Sequence, residues 1–148
     1  MDISDIVLAE ARKRLPNARL SQHDVQNGEL PYDAASMDAV IAVNAVIYCP
    51  DDMMRTIFQS LKPGSEAVIN FRNFSNPYNL PFYDFYTSNG AKITDQELKI
   101  GDETFALKVL DYRTCIDEKI RALDRQVYFQ STANIEKFIL AIGFEVVS

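Results

Sequence analysis

Apolar residues dominate two short stretches of the chain. From Asp38 to Ile47 the residues after the first aspartate are apolar and often β-branched, and the one polar interruption is Asn44. A run of this kind is typical of a strand that is buried on both faces of a parallel sheet. Ala67 to Phe71 is a second apolar run of the same type. Together with the segment between them, these runs predict a strand, a helix and a second strand from Met37 to Phe71.

The segment between the two runs has the spacing of a helix. Its apolar residues recur at intervals that line one helical face, and Asp51 and Asp52 favour a helix N-terminus. Pro63 and Gly64 predict the end of this helix, because proline cannot continue it and glycine suits a tight turn. The predicted helix runs from Asp51 to Leu61, with the apolar face Met54, Ile57, Phe58 and Leu61.

Two buried strands joined by a helix form the crossover unit from which parallel α/β sheets are built. Such sheets bind their ligands beyond the carboxyl ends of the strands. We therefore expect a functional site at Asn44 to Cys49 and at Asn70 to Asn73, which follow the two predicted strands.

Two further elements are predicted before this unit. Ser4 is a typical N-cap for a helix from Asp5 to about Leu15, whose apolar side would carry Val7, Leu8, Ala11 and Leu15. A short strand from Ala18 to His23 should follow, and Asp24 closes it. A polar loop, Val25 to Ser36, then leads to the first buried strand.

The chain is rich in aromatic residues from Phe74 to Gly90, and two interpretations of this segment are equally open. The rings can fill a core beneath a loop, or they can form the wall of a small-molecule pocket. Beyond it, alternation predicts an antiparallel hairpin of two strands, Glu103 to Asp111 and Lys119 to Phe129. The apolar face of the first strand would carry Phe105, Leu107 and Val109.

The last predicted elements are a helix and a strand. Ser131 or Thr132 should cap the helix, and Gly143 should end it in a left-handed conformation. The apolar stripe of the helix is Ile135, Phe138, Ile139 and Ile142. Phe144 to Val147 predicts one more strand.

Length and charge limit the classes of function. A chain of 148 residues is long enough for one domain with a sizeable core. The net charge of −6 gives no basic surface for nucleic acid, and no apolar run is long enough to span a membrane, so we expect a cytoplasmic protein. Cys49 and Cys115 are too few for a metal site or a disulfide framework. His23 is a weak candidate for a catalytic base, since no nucleophile stands at a recognisable spacing.

Six short pieces, taken in order and spacing, resemble the class I S-adenosylmethionine-dependent methyltransferases. The likeness covers Asp2 to about Phe71, and the end of the chain is similar to the family's final passage from helix to strand. The pieces are Asp2-Ile3-Ser4, Ala11 to Asn17, Asp24, Leu30-Pro31-Tyr32, Ser36 to Val40 and Leu61 to Ser65, and the final passage is Ala141 to Val147. The resemblance implies an α/β fold, the Rossmann-like methyltransferase sandwich of three layers, in one domain with residues 74–130 as an insertion or lid.

The resemblance also implies a site for S-adenosylmethionine. Asp2 would hold the ribose hydroxyls, since a carboxylate can accept from two neighbouring hydroxyls, and Asp24 would accept from the adenine amino group. Asn44 and the two residues after it would lie beneath the methionine part. Asp2 and Asp24 are also open to an interpretation as cap or loop carboxylates, and Asn44 as a core amide. The implied cofactor-binding residues are Asp2, Ile3, Asp24, Val25, Asn44, Ala45 and Val46.

The implied substrate is a small-molecule methyl acceptor. In-line displacement from the sulfonium depends largely on positioning, so residues that line the acceptor pocket matter most. Tyr48 would face the substrate, and Arg125 would serve if the acceptor carries a carboxylate or a phosphate. The candidates for the pocket are Tyr48, Arg72, Tyr78, Tyr83, Tyr112, Arg125 and Tyr128.

The sequence departs from the family in its glycines. Members begin with a strand and a glycine-rich turn that lies against the cofactor, and the five glycines here are too far apart to form such a turn. We expect that strand and turn to lie upstream of Met1, so that the domain is truncated at its N-terminus, binds the cofactor weakly and is impaired or inactive. The strand Ala39 to Ile47 would keep an unpaired edge, which either the strand Ala18 to His23 or a second chain could cover, and on this ground we expect a homo-oligomer.

Two other functions remain open at this stage. The chain could be a non-catalytic, methyltransferase-like module that uses its open sheet edge and aromatic segment to bind a protein. It could also be a different doubly wound domain that binds another adenine nucleotide, although it has no glycine-rich loop for phosphate.

Overall fold

The structure is a computed structural model that describes residues 1–24, 30–48 and 50–147. Helices and strands alternate in its first half, and strands dominate the second half. In chain order the elements are α1 Asp5–Arg14, β1 Met37–Ala42, α2 Pro50–Ser60, β2 Leu61–Ile69, α3 Leu80–Ser88, β3 Lys92–Ile100, β4 Glu103–Asp111, α4 Glu118–Arg121, β5 Arg125–Phe129 and α5 Thr132–Ile142.

The predicted first helix is confirmed, but the strand predicted after it is wrong. The Ser4 hydroxyl accepts a hydrogen bond from the Val7 backbone N–H at 3.3 Å and caps α1. Of the expected apolar side, Leu8 is buried whereas Val7 and Leu15 are more than half exposed. Within the predicted strand from Ala18 to His23, pairing is limited to a single parallel bridge between Gln22 and Asp2.

The strand-helix-strand unit is confirmed, because β1 and β2 pair in parallel and α2 joins them. The predicted extent and burial of the first strand are wrong. β1 ends at Ala42 rather than Ile47, since Asn44 takes a left-handed backbone conformation with φ 55°. Ile41 is 75% exposed, and its register partner Val68 is 65% exposed. One face of the parallel pair is therefore apolar and open to solvent.

The end of α2 differs from the prediction. The helix stops at Ser60, and β2 begins at the next residue, so Pro63 and Gly64 do not end the helix. They lie instead where the β1–β2 register jumps, because Met37 faces Leu61 but Ala39 faces Glu66. The positive φ of Gly64, 78°, suits this bulge. Met54 and Ile57 of the predicted apolar face are buried, whereas Phe58 is 42% exposed.

The predicted hairpin is part of a larger antiparallel sheet with the strand order β3-β4-β5. β4 pairs with β5 as expected, but residues 119–121 of the second predicted strand belong to the helix α4, and β3 had no counterpart in the prediction. The buried face of β4 is confirmed by Phe105, Leu107 and Val109, which are 1%, 6% and 3% exposed.

Backbone hydrogen bonds join the two sheets along the outer edge of β5. The Val127 N–H donates to the Ile47 carbonyl at 2.7 Å, and the Phe129 N–H donates to the Arg72 carbonyl at 3.0 Å. The Phe74 N–H then donates back to the Phe129 carbonyl at 2.8 Å. The segments that leave β1 and β2 are therefore bonded directly to the antiparallel sheet.

Two apolar clusters cover opposite faces of the antiparallel sheet. The first packs α2 and α5 against β4 and β5, with Phe138 fully buried at its centre. The predicted caps of α5 are confirmed, since the Ser131 hydroxyl accepts from the Asn134 N–H and Gly143 adopts φ 114°. The strand predicted at Phe144 to Val147 is wrong, because these residues form no ladder and Val147 is 84% exposed.

The second cluster contains the aromatic segment, which folds into a 3₁₀ turn at Pro77–Asn79 followed by α3. The expected α/β class is confirmed, with the parallel strand-helix-strand unit of a Rossmann-like sheet. No helix among the described residues has both the length and the apolar content to cross a bilayer.

Candidate cofactor and acceptor site

The carboxyl ends of β1 and β2 are joined by two asparagines. The Asn44 backbone N–H donates to the Asn70 side-chain oxygen at 2.6 Å, and the Asn70 amide nitrogen donates to the Asn44 side-chain oxygen at 3.1 Å. Both side chains are exposed enough to be reached from solvent. Asparagine is one of the few residues that tolerate the left-handed backbone of Asn44. The ends of the strands thus carry a fixed amide pair at the position where parallel sheets bind ligands.

Asp2 and Asp24 are brought near each other by a short parallel contact. Asp2 pairs in parallel with Gln22, and its carbonyl accepts from the His23 N–H at 3.0 Å, so Asp24 is one residue beyond this contact. One oxygen of the Asp2 carboxylate accepts from the Ser4 N–H at 2.9 Å, which is the cap-like role considered above, and the other carboxylate oxygen has no partner among the described residues. Asp24 is half-buried, and Ile3 is 59% exposed.

A groove of about 290 Å³ runs along β1 and reaches the N-terminus. Met1, which precedes Asp2, lines one end, and Ala45, which follows Asn44, lines another part. Val46 is only 2% exposed and packs in the first apolar cluster. Val25, the remaining residue of the predicted cofactor set, lies outside the described residues, as does Cys49 at the end of the predicted strand.

Gln126 organises a buried polar cluster on the face of β5 opposite the first apolar cluster. Its side-chain oxygen accepts from the Tyr112 hydroxyl at 3.0 Å, from the Tyr128 hydroxyl at 2.9 Å and from Arg72 Nη1 at 3.2 Å. Arg72 Nη1 also donates to the Tyr128 hydroxyl at 3.1 Å. Burial raises the pKa of both Tyr112 and Tyr128, so both hydroxyls stay protonated near neutral pH.

Aromatic rings surround this cluster. Tyr83 is 3% exposed, stacks on Phe74 with centroids 4.5 Å apart and meets Tyr128 edge-on at 5.4 Å. Burial is the main cause that raises the pKa of Tyr83 to about 12. A side-chain interaction with Asn79 lowers the pKa against this shift, but the Tyr83 hydroxyl forms no hydrogen bond with a described residue. The aromatic segment thus fills a core and also surrounds buried polar groups.

The predicted acceptor residues do not all lie together in the structure. Arg72, Tyr83, Tyr112 and Tyr128 come together, whereas Tyr78 is 91% exposed. Arg125 is exposed, and because successive strand residues point to opposite faces, it lies away from Gln126 and Tyr128. Tyr48 is half-buried in the turn after β1, where its N–H donates to the Ala45 carbonyl at 3.5 Å.

Sequence reasoning did not select Gln126 or assign a partner to Asn70. One signal was available for Gln126. It is an amide at a buried position of a short strand whose other buried positions are aromatic. A buried amide needs hydrogen-bond partners, and the nearby tyrosines and arginine could have supplied them.

Comparison with known proteins agrees with the pattern at the start of the chain. Residues 1–64 match a family model described as a methyltransferase domain. The crystal structure of the PH0226 protein from Pyrococcus horikoshii OT3 aligns with 93% of this chain at 14% identity and a TM-score of 0.47, and the chain spans 61% of the length of that protein. No curated protein sequence matches the chain significantly. The predicted resemblance is therefore confirmed over the residues that the family model matches, which are fewer than half of the chain.

Proposed function

We propose that the chain is an S-adenosylmethionine-dependent methyltransferase that acts on a small-molecule acceptor. The observation that carries this proposal is the methyltransferase-domain match over residues 1–64, the segment that contains Asp2, Asp24 and Asn44. On this proposal the 148 residues act in the cytoplasm as one domain, and residues 74–130 form an insertion over the acceptor.

The chemistry of the described residues fits part of the cofactor. Asp2 has a carboxylate oxygen without a described partner and would accept from the ribose hydroxyls, with Ile3 beside the adenine. Asp24 and Val25 would meet the adenine. Asn44 and Ala45 would form the floor under the methionine part, with the buried Val46 packed behind them. The described glycines, at positions 64, 90, 101 and 143, do not form a cradle beside these residues. We therefore expect weak binding and impaired turnover by this chain.

The cofactor would supply a methyl group on a sulfonium, and the chain's own residues would position the acceptor. Arg72, Tyr83 and Tyr128 lie in one cluster, and Arg72 is two residues beyond Asn70 along the chain. Tyr48, in the turn beyond Asn44, would face the acceptor from the other strand, and Arg125 would contact an acceptor that extends past β5. Positioning of this kind accounts for much of the rate of an in-line transfer.

A second candidate function is a non-catalytic module that binds a protein through the parallel pair. Ile41, Val43 and Val68 are 75%, 64% and 65% exposed, and β1 pairs with β2 alone among the described strands. An unpaired strand edge beside an exposed apolar face favours strand addition by another chain. The same edge would join two copies of this chain in the homo-oligomer that the sequence predicts.

Calorimetric titration with S-adenosylmethionine and S-adenosylhomocysteine, with the mass in solution measured by light scattering, tests these functions. Binding that disappears in Asp24→Ala but persists in Asp84→Ala would support the methyltransferase. Asp84 is the matched control because it is an exposed aspartate on α3. Absence of binding up to millimolar cofactor would contradict the proposal and favour the module.

A further inference from the structure

Arg72 carries a positive charge that no carboxylate balances within the described residues. The side chain is half-buried, and its Nη1 donates to two neutral oxygens, those of Gln126 and Tyr128. Its Nε and Nη2 donate to no residue that the structure describes, and no Asp or Glu of those residues lies within ion-pair distance of it. Partly buried charges are normally paired, so the free side of this guanidinium is suited to an anion.

The guanidinium is also held in one orientation. It lies 5.5 Å from the centroid of Phe82 and 5.7 Å from that of Tyr128, within range of cation–π attraction to both rings. Together with the two bonds from Nη1, these rings fix the plane of the group. The edge formed by Nε and Nη2 then presents two parallel N–H donors, the geometry that matches a carboxylate or a phosphate.

A second buried group without a partner lies beside Arg72. The ring of Tyr83 meets Phe82 and Tyr128, the two rings that flank the guanidinium, at 6.0 and 5.4 Å between centroids. Its hydroxyl has no hydrogen-bond partner among the described residues and is protonated near neutral pH, since burial raises its pKa. A buried donor without an acceptor is costly, and a ligand oxygen would satisfy it.

We propose that Arg72 binds an anionic group, a carboxylate or a phosphate, of the molecule that occupies the acceptor site, with Tyr83 as a second donor. This inference rests on the proposed function and names its substrate class. Arg72 is two residues beyond Asn70, which places it roughly 7 Å along an extended chain from the ends of the parallel strands. An acceptor that is held by its anionic end at Arg72 would extend its methyl-accepting atom toward Asn44 and Asn70. The structure favours Arg72 over Arg125 for this role.

Titration with small aromatic probes tests the anion site without the cofactor. Benzoate and phenyl phosphate carry the two candidate anions, and benzamide is the neutral analogue of benzoate. We expect at least one anion to bind about tenfold or more tightly than benzamide, because charge-assisted bonds to a guanidinium fork are strong. Equal affinity for benzoate, phenyl phosphate and benzamide, or no measurable binding of any probe, would overturn the inference.

Variants assign the binding to one arginine. Arg72→Met should abolish the preference for the anion, whereas Arg55→Met, which removes an exposed arginine of α2, should keep it. A loss that follows Arg125→Met instead of Arg72→Met would overturn the inference.

Nuclear magnetic resonance of the wild-type arginine Nε–H groups provides a measurement that does not depend on the folding of a variant. One Nε–H resonance should move with anion and stay still with benzamide, and the absence of any such shift would also count against the proposal.

These results are separable from those of the cofactor titration. Anion binding at Arg72 without S-adenosylmethionine binding would support the anion site and contradict the proposed methyltransferase function. Cofactor binding that is lost in Asp24→Ala, combined with no preference for the anionic probes, would support the methyltransferase function and contradict the proposed substrate class.

Discussion

Replacement of Gln126 by leucine tests whether the buried polar cluster holds the second core together. Leucine has a similar size but offers no acceptor, so Gln126→Leu removes the oxygen that Tyr112, Tyr128 and Arg72 share. Tyr112 and Tyr128 are both 0% exposed and cannot turn to solvent. The two hydroxyls lie close enough to interact, so one could donate to the other, but at least one would be left without an acceptor. The half-buried Arg72 can recover a bond from water.

The magnitude follows from these two hydroxyls. An unsatisfied buried donor costs about 1–3 kcal/mol, and the apolar leucine side chain recovers part of this loss. We therefore expect Gln126→Leu to lower the free energy of unfolding by about 1–3 kcal/mol. Equilibrium unfolding in urea, followed by far-ultraviolet circular dichroism, measures the change as a lower midpoint at similar slope.

Gln96→Leu is the matched control, because Gln96 is exposed on β3 of the same sheet. It should change the free energy of unfolding by no more than about 0.5 kcal/mol. Tyr112→Phe should cost about 1 kcal/mol in the wild type but be neutral or stabilising in the Gln126→Leu background, where its hydroxyl has lost the Gln126 acceptor and competes with that of Tyr128. A loss for Gln126→Leu equal to that of the control, or strictly additive effects of Tyr112→Phe, would refute the reasoning.

Two further predictions address the cores and the alkaline limit of stability. Phe138→Ala should lower the free energy of unfolding by about 3–5 kcal/mol, because the ring is fully buried against Phe105 and Phe129. Leu140→Ala, on the exposed side of α5, is the control and should change the free energy of unfolding little. The folded-state pKa of Tyr83, about 12, exceeds its ordinary value of 10.0, so its contribution to stability is complete below pH 10 and is lost as pH rises toward 12. Absorbance titration at the tyrosinate band should lose a step near pH 12 in Tyr83→Phe, and an unchanged titration would contradict this assignment.

Local signals explain which elements could be predicted from the sequence. α5 was predicted with both caps, because Ser131 and Gly143 act on the backbone beside them. β3 was missed because its apolar residues are split between the two faces of the sheet, with Ile93 in one cluster and Leu98 in the other. A turn signal at Gly101, whose φ is 59°, was nevertheless present between β3 and β4.

The two predicted strands that are absent from the described structure show which information the sequence pattern does not contain. A strand needs a neighbour to satisfy its backbone, and apolar composition does not provide one. Residues 18–23 and 144–147 find no ladder among the described strands, so neither segment becomes a strand. The same limit applies to the site. The sequence indicated the carboxyl ends of the parallel strands, but the pairing of Asn44 with Asn70 and the convergence on Gln126 depend on contacts between distant residues.

The hydrogen bonds along the outer edge of β5 have a mechanical consequence. Ile47 and Arg72 follow the two parallel strands, and each bonds its carbonyl to the backbone of β5, so the strand ends and the antiparallel sheet must move together. Hinge closure of that sheet over a ligand would break three backbone bonds at once. α3 packs on the sheet through ring contacts of Phe82, Tyr83 and Tyr86. Its C-terminal end is also fixed, because the Ile116 N–H donates to the Asn89 carbonyl at 3.2 Å and the Thr114 hydroxyl donates to the Gly90 carbonyl at 2.6 Å. The distance between the two halves of the site is therefore set when the chain folds.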